Sequence, residues 1–270
     1  MMRAYPDHVE GLVVAAADGV LNVRLDRPER RNAITDDMVL AMIDVIEVAG
    51  SDEDVRVIHL SGAGDHFCSG FDLSLRGGAT GPARTGATQR QMRWHVNRLI
   101  PSLLETQTPV VTSVKGWCIG LGMNLALASD FVVAADDARF WAPFNEAGFT
   151  PDSGGSWLVP RLVGVARAKE LLMLGRKVDG TQAADWGLIH RAVPVGEVDA
   201  VAESLVAELA AAATVAVGLT KLLVQRSLTV DLKRHLEDEA LALELSSRSE
   251  DFAENSRARR EKRPPAFGGR

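Results

Sequence analysis

The chain has 270 residues, of which 46% are hydrophobic and 24% charged, close to the composition of an ordinary globular protein. Its 30 Lys and Arg against 36 Asp and Glu leave a formal net charge of −6, which argues against nucleic acid or an acidic membrane surface as partner. Two cysteines cannot form the disulfide framework of a small secreted domain, and no apolar stretch approaches the roughly 20 residues that a membrane span needs.

The first half of the chain alternates β-rich runs with helical periodicity. Asp18-Gly19 joins two of the β-rich runs and is a strong hairpin signal. Thr35 precedes two aspartates and an apolar repeat at helical spacing, which predicts a helix N-cap. The predicted strands are residues 12–16, 20–25, 55–60, 110–114 and 131–135. Three helices are predicted in this half: one begins after Thr35, one covers residues 88–104, and one begins in the glycine-bearing turn 116–122 and ends at Ser129. Residues 77–86 are predicted to be a mobile surface loop.

After about Pro194 the pattern changes to helices alone. Residues 198–213, 216–225 and 232–245 have helical spacing, with no β-rich run between them. We therefore predict an α/β core over residues 1–195 and a helical module over residues 196–270. Strands followed by a block of helices often form a separate layer or an assembly module. Residues 257–263 hold five basic residues and one Glu.

Two glycine-bearing loops, residues 61–73 and 114–125, each follow a buried strand and lead toward a helix. Neither has the spacing of a P-loop or of a dinucleotide-binding loop. Backbone N–H groups at such turns can bind a developing oxyanion. The alternative is that the glycines only permit close packing of strand and helix, and the residues alone leave both interpretations open.

Asp152 lies among apolar side chains, between Pro151 and a Ser-Gly-Gly turn. A carboxylate in such surroundings is suited to acid–base chemistry near neutral pH. The alternative is that Asp152 caps a helix starting near Gly154, a common role for Asp. The histidines lack metal-ligand spacing, so no metal site is predicted, and His66 is of interest because it lies in the first glycine loop.

Six segments, taken in order, resemble the enoyl-CoA hydratase/isomerase (crotonase) superfamily, from about residue 10 to the end of the chain. The segments are LDRPERRNAI (25–34), GAGDHFCSGFDL (62–73), VKGWCIGLGMNLALASD (114–130), PDSGG (151–155), DWGLIHRAVP (185–194) and EKRPPAF (261–267). The resemblance implies an α/β fold in which a spiral of repeated ββα units is followed by a C-terminal α-helical oligomerisation module. That module would build a homotrimer or a dimer of trimers.

The resemblance also implies a chemistry. Members of the superfamily bind acyl-coenzyme A and stabilise a thioester enolate with two backbone N–H groups, which by motif position belong to Phe71 and Leu121. The implied partner is therefore an acyl-CoA thioester, and no cofactor is implied because coenzyme A is part of the substrate. No signal-peptide pattern is visible in residues 1–10, so we expect a cytoplasmic protein. The residues implied in coenzyme A and substrate binding are Arg30, Arg31, Ser69, Gly70, Gly120 and, from a neighbouring subunit, Lys262.

The departures from the superfamily pattern narrow the expected reaction. Hydratases place glutamates at the positions of Asn124 and Phe144, and a phenylalanine can neither orient water nor move a proton. Both residues are expected to line the acyl pocket together with Phe149. Several double-bond isomerases carry their single catalytic carboxylate at the position of Asp152, and residues 151–164 look especially like the isomerases of phenylacetate-type degradation. We therefore predict conversion of 3-enoyl-CoA to 2-enoyl-CoA with Asp152 as base.

Three alternatives remain. A dehalogenase branch also places its nucleophilic Asp here, but pairs it with a Trp indole where this chain has Phe144. A hydratase of altered mechanism would draw on Glu146 or Asn124, and a catalytically inactive protein would only bind acyl-CoA. The net charge of −6 excludes none of them, because the phosphates of coenzyme A need only a few local cations, which Arg30, Arg31 and residues 257–263 could supply.

Overall fold

The computed structural model of the chain describes residues 5, 9–74 and 84–270, so most of the loop predicted at 77–86 lies outside the described residues. The strands are β1 (Leu12–Ala17), β2 (Val20–Leu25), β3 (Val57–Gly62), β4 (Val110–Val114), β5 (Trp117–Ile119), β6 (Phe131–Ala135), β7 (Arg139–Trp141), β8 (Val178–Asp179) and β9 (Arg191–Val193). The helices are α1 (Asp36–Ala49), α2 (Ala87–Trp94), α3 (Val96–Glu105), α4 (Leu121–Leu127), α5 (Gly155–Met173), α6 (Gly180–Asp185), α7 (Val198–Ala211), α8 (Thr214–Ser227), α9 (Leu232–Ser246) and α10 (Glu250–Glu261).

Repeated strand–strand–helix units build two sheets. Six strands pair in the order β1-β2-β3-β4-β6-β9, parallel except for the β1–β2 hairpin, and three short strands pair in the order β5-β7-β8. In the units β4-β5-α4 and β6-β7-α5, the first strand joins the large sheet and the second joins the small one. Because β3 and β4 are parallel neighbours, the two glycine loops leave the same edge of the large sheet.

Local sequence signals explain the first elements. Asp18 and Gly19 have φ of 52° and 80°, and positive φ at both positions is what a tight two-residue hairpin turn requires. The Thr35 side chain accepts a hydrogen bond from the Met38 N–H, so the predicted N-cap of α1 is confirmed. Strand β4 is buried along its whole length, as expected for the interior of a parallel sheet.

Two predicted elements differ from the structure. Residues 88–104 do not form one helix, because His95 (φ −117°, ψ −102°) leaves the helical conformation and separates α2 from α3. The His95 imidazole lies 3.2 Å from the Asp36 carboxylate at the start of α1, a contact that fixes the break. Strand β3 begins at Val57 rather than at the predicted Val55.

The C-terminal part is helical as predicted, with α7, α8 and α9 close to their expected bounds. Helix α10 was not predicted, and it contains most of the basic segment 257–263. A buried ion pair fixes α8 to the large sheet, because Lys221 Nζ lies 2.8 Å from the Asp130 carboxylate. Among the described residues no single helix is long and apolar enough to cross a membrane; α7 with its preceding turn and α8 pass that test only as a pair bent by 110°.

Candidate active site

The two glycine loops are joined to each other by main-chain hydrogen bonds. The Cys68 N–H donates to Trp117 O at 2.9 Å, and the Ile119 N–H donates to Cys68 O at 2.9 Å. Cys68 and Cys118 are thereby paired as in a parallel sheet. This pairing brings the segment that follows Cys68 against the residues that start α4.

Gly70 fits this arrangement because it has no side chain. Its φ is +94°, and a Cβ there would lie 3.0 Å from Ile119 O and 3.7 Å from Leu121 N. Gly120, with φ of +53°, precedes Leu121, the first residue of α4. The N–H of a first helical residue has no acceptor within its own helix. The Leu121 N–H is therefore placed next to the Gly70 segment.

Phe71 lies in a short extended stretch whose hydrogen bonds fix its direction. The Ile34 N–H donates to Gly70 O at 2.8 Å, and the Asp72 N–H donates to Ile34 O at 2.9 Å. Since successive N–H groups of an extended chain point to opposite sides, the Phe71 N–H points away from Ile34. The N–H groups of Phe71 and Leu121 thus come from two loops that pack against each other.

A buried polar network supports the Phe71 segment. Arg27 Nη1 donates to Asp72 Oδ2 at 3.0 Å and to Ala33 O at 2.6 Å. The Ser74 hydroxyl, and after it Arg27, lowers the pKa of Asp72 from its ordinary value, which keeps this carboxylate charged. The network therefore holds the residue next to Phe71 in one position.

Asn32 was not singled out from the sequence; it is fully buried and joins the turn at Arg27 to the first glycine loop. Its Nδ2 donates to Ala63 O at 2.9 Å and to His66 O at 2.7 Å, and its Oδ1 accepts from the Arg27 N–H at 2.9 Å. Its φ is +55°, a conformation that Asn tolerates better than most residues. The sequence signal that could have identified it is an Asn placed between the turn at Arg30-Arg31 and the N-cap Thr35.

One cavity, here called the site cavity, lies over these loops. Its volume of about 430 Å³ is within the usual range of small-molecule sites. Both predicted oxyanion donors and Asp152 line it, so the fold brings together three residues that are far apart in sequence. The lining residues are Ser69, Gly70, Phe71, Leu73, Thr88, Met92, Val96, Ile119, Gly120, Leu121, Pro143, Phe144, Ala147, Phe149, Thr150, Asp152 and Ser153.

The Asp152 carboxylate is not used as a helix cap. Helix α5 begins after Gly154 without a side-chain cap, so the capping alternative is wrong. Asp152 Oδ1 instead accepts a hydrogen bond of 2.8 Å from the hydroxyl of Ser153, a residue with φ of +50°. This neighbour fixes one carboxylate oxygen at the cavity wall.

Asn124 is not among the described residues that line the cavity, although the sequence predicted it there. It is 2% exposed, and its Nδ2 donates to the main-chain carbonyl of Asp152 at 3.0 Å. This hydrogen bond to the Asp152 carbonyl keeps the Asn124 amide out of the cavity. Asn124 therefore connects α4, which begins with Leu121, to the segment that carries Asp152.

Two aromatic side chains form another part of the wall. The rings of Phe144 and Phe149 meet edge to face, with centroids 5.8 Å apart. Phe144 is buried, whereas Phe149 is 46% exposed. Glu146, the alternative carboxylate, is exposed and is not among the described residues that line the cavity.

The candidate coenzyme A residues are only partly brought together. Ser69 is bound to the Arg30-Arg31 turn, since its N–H donates to Arg31 O at 2.9 Å and its hydroxyl donates to Arg30 O at 3.1 Å. Both arginines are exposed, and neither has an ion-pair partner within the described residues. Lys262 directly follows the last residue of α10, and it is not among the described residues that line the site cavity.

The cysteines beneath the loops are not nucleophiles. Burial raises the pKa of the Cys68 thiol to about 12 and also raises that of Cys118, so both remain protonated. His66 Nδ1 accepts a long hydrogen bond of 3.4 Å from the Trp117 N–H, which gives it a role in joining the loops. Within the described ranges no group of three or more His, Cys, Asp or Glu side chains is placed to hold a metal ion.

A family model described as enoyl-CoA hydratase/isomerase matches residues 15–270. The chain belongs to this family. Over the whole length of both chains it is 35% identical to 1,2-epoxyphenylacetyl-CoA isomerase of Escherichia coli K12. It is 29% identical to 4-chlorobenzoyl coenzyme A dehalogenase-1 of an Arthrobacter species, with 94% of this chain and 91% of the relative aligned. The crystal structure of enoyl-CoA hydratase from Bacillus anthracis superimposes with a TM-score of 0.89 at 28% identity, covering 97% of this chain and all of that one.

These similarities establish the fold and the general activity of this protein. The repeated ββα units are those of the crotonase fold, as the resemblance implied, and the protein is an enzyme that processes acyl-CoA thioesters. The relatives are named as an isomerase, a dehalogenase and a hydratase, so the names alone do not select one reaction. That choice has to come from the residues of the site cavity.

Proposed function

We propose that this enzyme moves a carbon–carbon double bond within an acyl-CoA thioester, converting a 3-enoyl-CoA to a 2-enoyl-CoA. One observation carries the proposal. Among the described residues that line the site cavity, Asp152 supplies the one carboxylate, and it shares that cavity with Phe71 and Leu121. A single base beside two main-chain donors is sufficient for a 1,3-proton shift.

The proposed reaction proceeds in two proton transfers. The Asp152 carboxylate removes a proton from C2, and the electrons of that C–H bond move into the thioester carbonyl. The resulting dienolate oxygen accepts hydrogen bonds from the Phe71 and Leu121 N–H groups, which stabilise the charge as it develops. Asp152 then returns the proton to C4, the double bond shifts to C2–C3, and the carbonyl is restored. No atom is gained or lost, so no cofactor is required.

The site cavity supports isomerisation better than hydration. Addition of water requires groups that orient the water and move its protons. Phe144 can do neither, and the Asn124 amide is hydrogen-bonded to the Asp152 carbonyl. Glu146 is exposed and is not among the described residues that line the cavity. The altered hydratase therefore lacks a second carboxylate among the described residues that line the cavity.

A second candidate substrate is the epoxide of an arylacetyl-CoA. The Escherichia coli relative is named for such a substrate, and the edge-to-face pair of Phe144 and Phe149 offers an aromatic wall. The dehalogenase reaction is less well supported, because the side chain of Phe144 has no N–H to take the place of an indole donor. The test of the proposal therefore includes an arylacetyl-CoA epoxide and a chlorinated benzoyl-CoA.

We also propose that coenzyme A binding depends on assembly as a homotrimer or a dimer of trimers. Arg30 and Arg31 lie next to the cavity through Ser69, whereas Lys262 would reach the phosphates from a neighbouring subunit. Helix α9 and the residue that follows α8 present exposed leucines that such an assembly would cover. These are Leu228, Leu232, Leu236, Leu241, Leu243 and Leu245, each more than half exposed. A cytoplasmic location is proposed with this function.

Product mass separates the candidate reactions. The purified enzyme is incubated with 3-hexenoyl-CoA, 2-hexenoyl-CoA, 1,2-epoxyphenylacetyl-CoA and 4-chlorobenzoyl-CoA, and the products are identified by liquid chromatography and mass spectrometry. Isomerisation leaves the mass unchanged and shifts the retention time, hydration adds one water, and dehalogenation replaces chlorine with hydroxyl. The proposal expects isomerisation of 3-hexenoyl-CoA, and a hydroxyacyl product formed faster than the isomer would refute it.

A further inference from the structure

The main chain of Asn124 is tied to one half of the proposed site. Asn124 follows Leu121 by three residues on α4, which places the two on the same side of the helix. Its N–H donates to Gly120 O at 3.0 Å. That carbonyl and the Leu121 N–H belong to one planar trans peptide unit, so the two groups point in opposite directions. This helical hydrogen bond, which any residue at position 124 could make, therefore directs the Leu121 N–H out of the start of α4.

The side chain of Asn124 is tied to the other half, and this contact depends on the amide. Asn124 Nδ2 donates to Asp152 O at 3.0 Å, and the same carbonyl accepts from the Gly155 N–H at 3.0 Å. Asn124 is 2% exposed, so the contact is shielded from solvent. The peptide unit that follows Asp152 is therefore held from two sides, by α4 and by the start of α5.

Gly155, the first residue of α5, leaves room for this amide. A Cβ there would lie 2.9 Å from Asn124 Oδ1 and 3.1 Å from Asn124 Nδ2, closer than ordinary contacts. Gly155 is not among the glycines with positive φ, so its backbone does not require a glycine. The missing side chain instead permits the close approach of the Asn124 amide to the Asp152 segment.

We propose that Asn124 is a positioning residue whose amide sets the place of the Asp152 carboxylate relative to the oxyanion donor at Leu121. This role rests on the proposed function, in which Asp152 is the base and the Leu121 N–H binds the enolate oxygen. One residue joins the peptide units of both groups, and the Ser153 hydroxyl, 2.8 Å from Asp152 Oδ1, fixes the carboxylate within its own segment. Without the amide, that segment loses its hydrogen bond to α4, and the carboxylate shifts relative to C2 of a bound thioester.

A double-mutant cycle tests whether Asn124 acts through Asp152. Isomerisation of saturating 3-hexenoyl-CoA is measured for the parent, Asn124→Ala, Asp152→Asn and the double variant, and binding of hexanoyl-CoA is measured by calorimetry for each. Asn124→Ala should lower kcat about 10- to 100-fold, the usual effect of misplacing a catalytic group by about 1 Å, while affinity stays within about twofold of the parent. In the Asp152→Asn background the same substitution should lower kcat less than about twofold, because no base remains to be misplaced.

Thr112→Val is the matched control for the loss of a buried hydrogen bond. Thr112 is fully buried on β4, its Oγ1 lies 2.6 Å from Ser129 Oγ, and it is not among the described residues that line the site cavity. Both Thr112→Val and Asn124→Ala should lower the midpoint of urea unfolding, and only Asn124→Ala should lower kcat. If the two variants lower kcat by the same factor, the amide only stabilises the fold and the proposal is wrong.

Gly155→Ala disturbs the same amide without removing it, and it serves as the second variant if Asn124→Ala does not fold. Alanine forms helices more readily than glycine, so helix propensity cannot account for a loss of activity. The added Cβ has to displace the Asn124 amide, and kcat should therefore fall while hexanoyl-CoA binding is retained. A kcat equal to that of the parent in whichever of the two variants folds would overturn the proposal.

The outcomes separate this inference from the proposed function. If Asp152→Asn is impaired but Asn124→Ala matches the parent, the reaction stands and the positioning role is wrong. Equal losses from Asn124→Ala in both backgrounds would also overturn the role, because the amide would then act independently of Asp152. If the parent converts another of the four thioesters instead of 3-hexenoyl-CoA, the proposed function is wrong, and the same cycle measured on that reaction decides the positioning role.

Discussion

Replacement of Gly70 by alanine should damage the oxyanion site in a way that can be separated from backbone strain. With φ of +94°, an alanine at this position is strained by about 1–2 kcal/mol. Its Cβ would also lie 3.0 Å from Ile119 O, closer than an unstrained contact, and 3.7 Å from Leu121 N. Relief of the first contact requires the two loops to move apart, and this displaces both proposed donors.

Gly187 provides the matched control. Its φ of +74° imposes the same backbone strain, but its Cβ would meet Leu162 O at an ordinary 3.8 Å, and it is not among the described residues that line the site cavity. Gly187→Ala should lose about 1–2 kcal/mol of unfolding free energy in urea titrations, and Gly70→Ala at least as much, because the close contact adds to the strain. Only Gly70→Ala should also lose kcat/KM for 3-hexenoyl-CoA, by about 10²- to 10³-fold, the usual effect of removing one oxyanion donor. Equal kcat/KM values for the two variants would refute the reasoning.

Two further predictions concern the C-terminal helices. Lys221→Met leaves the buried Asp130 carboxylate without its cation and should cost about 3–5 kcal/mol of unfolding free energy in urea; a loss below about 1 kcal/mol would contradict the assigned role of this pair. Hydrogen bonds from Arg263, then from the Ala266 N–H, lower the pKa of Glu254 to about 2 from an ordinary 4.5, so its stabilising effect is complete above about pH 4.5 and is lost as the pH falls toward 2. The melting temperatures of the parent and of Glu254→Gln, measured across this pH range, should converge at low pH. A difference that stays constant with pH would contradict the assigned role of these hydrogen bonds.

Elements with an apolar repeat or a turn signature could be predicted from the sequence, and those held by polar long-range contacts could not. The hairpin at Asp18-Gly19 and helices α7 to α9 follow from local patterns. Helix α10 has few apolar residues, and its buried Asp251 and Glu254 bind main-chain N–H groups of the C-terminal segment. No local pattern reports such contacts, because their partners are fixed only by the fold.

The candidate site was predictable to a similar extent. The glycine loops and the segment around Asp152 resemble a known family, and this resemblance identified Phe71, Leu121 and Asp152 as site residues. The fold places all three around one cavity. The supporting roles were not predicted: Asn32 was not singled out, and Asn124 was assigned to the acyl pocket. Both side chains act through main-chain carbonyls that are distant in sequence.

The most direct test of the account compares two carboxylates that are six residues apart. Isomerisation of saturating 3-hexenoyl-CoA is measured for Asp152→Asn and Glu146→Gln, with binding of hexanoyl-CoA as the check that each variant retains its site. Asp152→Asn should lower kcat by about 10²- to 10⁴-fold, the usual contribution of a general base, with affinity little changed, and Glu146→Gln should match the parent. If Asp152→Asn isomerises the substrate as fast as the parent does, Asp152 is not the base and the proposed mechanism is wrong.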